Sequence, residues 1–128
     1  MSVVVELKPY EMIKPQLKKS DKIGIILCGI CPIICGIGMN DMTKISKKLK
    51  EDGFNVVDMT VSADMCYFPN ILKHKDLKGN VAIILGCEAA VYNVGKLFPK
   101  RKVLSAMTTF GLASFKGKKN VYVVRKLS

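Results

Sequence analysis

Histidine is almost missing from this chain. His74 is the only one in 128 residues. It sits in Lys73-His74-Lys75 and reads as a solvated helix residue rather than a ligand. A multi-histidine metal centre is therefore excluded, and no nucleophile–base pair can be assembled from the sequence. Acids are scarce too: ten Asp and Glu face 21 Lys and Arg, for a net charge of +11. Such an excess attracts nucleic acid, anionic membranes, acidic proteins or anionic cofactors. The lysines are scattered, however, at Lys14, Lys18 and Lys19, at Lys44, Lys47, Lys48 and Lys50, and again through 116–119. No nucleic-acid motif accompanies them. They read as a solvated surface, with an acidic protein or anionic ligand the next choice and nucleic acid not expected.

Long hydrophobic runs are also lacking. The longest stretch without a charged or amide side chain, residues 23–39, is broken by four glycines, one proline and three cysteines, and its length is at the short limit for a membrane span. It reads as a buried strand followed by a cysteine loop. The first eight residues lack the basic-then-apolar order of a cleavable signal. The expectation is a cytoplasmic protein with reduced thiols. Gly-Ile-Gly at 36–38 lacks the spacing of a dinucleotide fingerprint. There are no internal repeats and no low-complexity segments.

What remains is a globular composition, 49% hydrophobic, in a chain long enough for one domain that buries roughly two-thirds of its unfolded surface. Residues 1–21 read as an N-terminal extension, with a candidate edge strand at 3–7 and a short amphipathic segment at 9–20 interrupted by Pro15. Residues 22–115 form the core and 116–128 carry a C-terminal strand. Within the core, apolar runs at 22–27 and 80–85 have no polar alternation, as expected for strands buried on both faces. A second strand is expected at 54–59 and a fourth at 102–107. A helix capped by Asn40 or Asp41 should run to about Asp52 with Met42, Ile45 and Leu49 inward, and Gly53 stops it. A short helix is expected at 70–74. Another, at 88–98, has Val91, Val94 and Phe98 inward and ends at Pro99. A glycine-containing loop at 108–117 leads to a last strand at 120–125. The alternation implies an α/β domain: a mostly parallel, Rossmann-like sheet of about four or five strands with helices on both faces. Ligands of such sheets bind outside the carboxyl ends of the strands.

Five cysteines occupy that edge of the pattern. Three lie in Cys28-Gly29-Ile30-Cys31-Pro32-Ile33-Ile34-Cys35, directly after the first core strand. Cys66 and Cys87 follow the second and third core strands. If the third strand lies next to the first, Cys28 and Cys87 become neighbours. The odd count argues against a simple disulfide framework. Thiolates are soft ligands for iron–sulfur clusters and zinc. A four-iron cluster takes four protein ligands, usually cysteines, and four cysteines also close a structural zinc site. Cys28 and Cys31 alone could form a redox dithiol. Buried cysteines can also be no more than small hydrophobes. Gly29, Gly36 and Gly38 permit close backbone approach to a sulfur centre, and Ile30, Ile33 and Ile34 would shield it from water. Asp58, Asp64 and Glu88 are the nearest acids, with Asp64 and Glu88 as candidate hydrogen-bond acceptors. Thr108 and Thr109 reach the same edge. Most of the seven methionines read as core filler.

The stretch from Leu27 to Cys35 resembles the Cys-Gly-x-Cys-Ala-x-x-Cys opening of a known domain. That domain is the cysteine-rich iron–sulfur and zinc-binding partner of methylenetetrahydrofolate reductase, found as a small subunit or a C-terminal domain. Residues 61–67 with Cys66 are similar to its second cysteine element. Ile84-Leu85-Gly86-Cys87-Glu88-Ala89-Ala90-Val91 is similar to its strand–cysteine–helix element, and Met107-Thr108-Thr109-Phe110-Gly111 to its closing segment. Three features depart from the family pattern. Gly36-Ile37-Gly38-Met39-Asn40 stands where the family has Gly-Gly-Glu, Cys87-Glu88-Ala89-Ala90 where it has Cys-Gly-x-Gly, and the second cysteine-rich region is absent from this sequence. The resemblance implies one [4Fe-4S] cluster, or zinc as the alternative, held by ligands drawn from Cys28, Cys31, Cys35, Cys66 and Cys87. It implies an accessory or electron-transfer subunit, not a complete enzyme, whose partner is a flavoprotein reductase of one-carbon metabolism.

Overall fold

A computed structural model describes residues 2–115 and 121–126, and side chains within 4–109. Elements follow in the order β1 (Ser2–Leu7), α1 (Tyr10–Ile13), a 3-10 turn (Lys14–Gln16), β2 (Lys22–Cys28), α2 (Cys31–Ile34), α3 (Met39–Glu51), β3 (Asn55–Ser62), α4 (Phe68–Leu72), β4 (Val81–Leu85), α5 (Glu88–Leu97), β5 (Lys102–Ser105), β6 (Met107–Phe115) and β7 (Val121–Lys126).

Four strands form a parallel sheet in the order β3-β2-β4-β5. The uninterrupted apolar runs become its two central strands, β2 and β4, and every residue of β4 is buried. Fully burying one such Ile or Leu side chain is worth about 1.5–3 kcal/mol. At the sheet's edge, β3 is only partly covered. Alternation along the strands divides the core in two. On one face Ile23, Ile25, Leu27, Ile83 and Leu85 pack with Met42, Ile45 and Leu49 of α3. On the other, Ile26, Ala82 and Ile84 pack with Ile71 of α4 and with Ala90 and Val94 of α5. The sheet is thus covered on both sides. Gly79 lets the α4–β4 connection cross closely over β2: its φ is +111°, and a Cβ there would lie 2.5 Å from the Lys22 carbonyl oxygen.

The remaining strands do not extend this sheet. They make a second, antiparallel one in the order β1-β6-β7. The four strands of the parallel sheet agree with the expected four or five. One expectation is corrected here: residues 108–115, expected as loop, belong to β6. The polar Thr108 and Thr109 and the glycine at 111 hide this strand, which is held by pairing with β1. Expected positions 116, 117 and 120 lie outside the described residues. The opening segment is part of the structure's interior: Val5, Ile13 and Leu17 join the α3-side core. Pro15 is accommodated at the start of the 3-10 turn, where a missing N–H costs nothing.

Helix α3 also starts differently from expectation. Asn40 and Asp41 lie inside it, and Gly38 is the N-cap. Asp41 acts from the third position, accepting the Gly38 N–H at 2.9 Å on Oδ2. The inward stripe of Met42, Ile45 and Leu49 is as expected, and Ser46 is buried beside it. The helix ends at Glu51, and Gly53, whose φ is +86°, turns the chain just beyond it. Between them the C-cap, Asp52, ties the helix end to the N-terminal segment. It accepts the Tyr10 hydroxyl at 2.6 Å and pairs with Lys14 at 3.3 Å. Its backbone carbonyl accepts a hydrogen bond from Lys19.

Candidate functional site

The carboxyl ends of the parallel strands face one edge, and the chain delivers sulfur there from each of the first three. Cys28 is the last residue of β2. Cys87 is the N-cap of α5, two residues past β4. Cys66 lies in the β3–α4 connection. Because β4 pairs directly with β2, Leu27 being opposite Leu85, Cys28 and Cys87 leave neighbouring strand ends. This is also where successive connections change sides, α3 on one face and α5 on the other. The condition set in the sequence, third strand beside first, is met.

The same alternation sends the two thiols to different faces. Cys28 packs with the α5-side core, and a Cβ placed on Gly86 would be 3.5 Å from the Cys28 Cβ. Cys87 joins the α3-side core, with Cys35 packed against it. Cys66 is exposed as a residue, yet enough protein surrounds its sulfur to push the thiol up. The Asp64 carboxylate nearby adds to that shift. Cys31 and Cys35 bracket α2, a single turn closed by the Cys35 N–H donating to the Cys31 carbonyl at 3.1 Å. Among the described residues no disulfide is present, and no three His, Cys, Asp or Glu side chains are already placed to hold one metal ion.

The surroundings differ in part from expectation. Ile30 and Ile33 are exposed, so they do not shield the edge from water; Pro32 is the buried residue of that turn. Gly29 makes its close approach to the end of β3 and not to a sulfur: its N–H donates to the Ser62 carbonyl at 2.8 Å and a Cβ there would come within 3.1 Å of the same oxygen. Thr109 reaches the edge from β6, its hydroxyl accepting the Glu88 N–H at 3.2 Å. Thr108 is exposed. Asp58 accepts the Lys78 N–H at 3.0 Å. The Asp64 carbonyl accepts from the Asn70 side chain. His74 is half-buried and lines a cleft with Asp58, Thr60 and Asp76.

Two residues with no motif also shape the site. Asn93 of α5 is buried and donates from Nδ2 to the Met65 carbonyl at 2.8 Å, pinning the connection that bears Cys66. Ser62, the last residue of β3, is opposite Cys28 in register, and its buried Oγ has no hydrogen-bond partner. A hydroxyl left so costs about 1–3 kcal/mol. The unmatched hydroxyl and the soft donors around it suit a thiolate-held metal group.

No family model, curated protein or solved structure matches this chain.

Proposed function

We propose that this protein is an accessory, electron-transfer subunit whose thiols hold a four-iron cluster. One observation carries the reading. Cys28 and Cys87 leave adjacent parallel strands at the switch between the two helical faces, and Cys66 lies in the connection that leaves β3, the strand on the other side of β2. A Rossmann-like sheet binds its ligand at such a point. Cys28, Cys66 and Cys87 are the ligands from the strand ends, and Cys31 or Cys35 supplies the fourth from α2. One sulfur of the five is then spare. A cluster would supply one-electron transfer. This chain's residues would hold it and set its exposure.

The accessory role has separate support. Beside the thiols, Ile30, Ile33 and Tyr67 are exposed, Tyr67 by 61%. Exposed apolar side chains next to a site are the kind of surface where another protein docks. The resemblance of residues 22–115 to the cysteine-rich partner of methylenetetrahydrofolate reductase makes a flavoprotein reductase the proposed partner. Among the described residues no helix is long and apolar enough to cross a membrane.

Anaerobic purification followed by iron, acid-labile sulfide and zinc analysis tests the reading. The expected result is iron and sulfide in the wild-type protein and their loss in both Cys28→Ser and Cys87→Ser. Stoichiometric zinc without iron would replace electron transfer with a structural zinc role. Undiminished metal in both variants would refute a shared centre.

A further inference from the structure

Ser62 is held firmly but its side chain has nothing to do. It closes β3 opposite Cys28 of β2, and its carbonyl accepts the Gly29 N–H at 2.8 Å. Paired residues of neighbouring parallel strands project to the same sheet face. For Cys28 that is the face packed by Ile84, Ala90 and Val94. Ser62 is 2% exposed, and its Oγ is the one buried side-chain nitrogen or oxygen without a hydrogen-bond partner among the described residues. Packing alone would favour alanine there, because a hydroxyl out of water wants a partner.

In this structure the Ser62 hydroxyl makes no hydrogen bond to the sulfur of Cys28, its partner in register, but that sulfur changes character with its charge. A neutral thiol is a weak acceptor, whereas a thiolate is ionised and accepts a strong hydrogen bond. We infer that Ser62 is a positioning residue whose hydroxyl donates to the Cys28 sulfur once that sulfur is a metal-bound thiolate. The inference rests on the thiol-site reading above. The hydrogen bond withdraws charge from the sulfur and fixes its orientation, as residues behind a metal ligand commonly do.

Anaerobic titration of the metal-free chain with Co²⁺ tests this in wild type and in S62A, S62T and S62V. The threonine and valine variants share a shape and differ in the hydroxyl, so the comparison survives if S62A folds poorly. Expected are Co²⁺ binding weakened about 10–100-fold in S62A and S62V, with the thiolate-to-cobalt charge-transfer band at lower energy. S62T should keep near-native affinity and band position. The metal-free unfolding midpoint of S62A should be unchanged or raised. Wild-type affinity and band position in both S62A and S62V would overturn the inference while leaving the thiol site intact. So would a fall in metal-free stability with no change in the band, which marks a hydroxyl serving the fold alone. Wild-type protein that shows no thiolate-to-cobalt band sinks both the thiol site and the role of Ser62.

Discussion

Gly86→Ala pushes a methyl group into the seam between α5 and the parallel sheet. Gly86 lies between the last residue of β4 and Cys87. The new Cβ would meet the Ala90 Cβ at 2.8 Å and the Cys28 Cβ at 3.5 Å. Carbon atoms settle at about 3.5–4.0 Å, so the second contact is tolerable and the first is not. Helix α5 must retreat by about 1 Å. Overpacking of this kind costs about 1–3 kcal/mol. Stiffening of the unfolded chain returns about 0.4–1 kcal/mol, leaving a net loss of about 1–2 kcal/mol. Ala90→Gly alone should cost about 1 kcal/mol through helix propensity. Together, the methyl at 86 occupies the space vacated at 90, so the double variant should lose about 1 kcal/mol rather than the sum. Urea melts followed by far-UV circular dichroism measure all four proteins, since the chain has no tryptophan to report by fluorescence. The reasoning fails if Gly86→Ala stays within about 0.5 kcal/mol of wild type, or if the two changes simply add.

Three other outcomes follow from the same structure. Asn93→Ala removes the donor to the buried Met65 carbonyl; a loss of about 1–3 kcal/mol is expected, with faster amide hydrogen exchange across residues 63–67, and unchanged exchange there would show that the bond does not restrain the connection. The Lys18 N–H, at 2.8 Å, and the Asn80 amide hold the Asp21 carboxyl below the ordinary range, against the opposing effect of its burial. Its stabilising contribution is therefore complete above the unfolded value of about 3.9 and is lost as pH falls through the lower folded value; Asp21→Asn should flatten the acid limb of a stability–pH curve, and an identical limb would contradict this assignment. Adding an iron chelator to the reduced, anaerobically purified protein should lower the thermal midpoint, because a group that binds only the folded chain stabilises it; an unmoved midpoint would detach the metal from the fold.

Patterns local to one element were readable in the sequence. The apolar runs became β2 and β4, and Met42, Ile45 and Leu49 mark the buried stripe of α3. The cap of α3 was not, because a side chain that caps from outside and one that reaches back from the third position leave nearly the same composition. Strand β6 was missed for a different reason: its pairing partner lies at the other end of the chain, and no local period announces it. At the candidate site, the order of thiols and strands put Cys28, Cys66 and Cys87 on one sheet edge, but Cys28 next to Cys87 only on the condition that the third strand pairs with the first, which the structure supplied. That order did not say which face each sulfur takes, since one residue of strand alternation reverses the answer. Ser62 carried no signal at all. A serine ending a strand is common, and only the register with Cys28 gives it meaning.

The pairing of β1 with β6 has a consequence for how the chain assembles. Val5 meets Thr109, nearly a full chain length away, while each parallel strand meets partners separated by one or two connections. Contacts between such distant segments form slowly, because the chain entropy of closing the loop is spent before any contact repays it. During synthesis the valine-rich β1 emerges well before β6 and must wait for it. Deleting residues 2–7 should then leave the folding rate of the parallel sheet almost unchanged and accelerate unfolding, since the contacts removed are those made last.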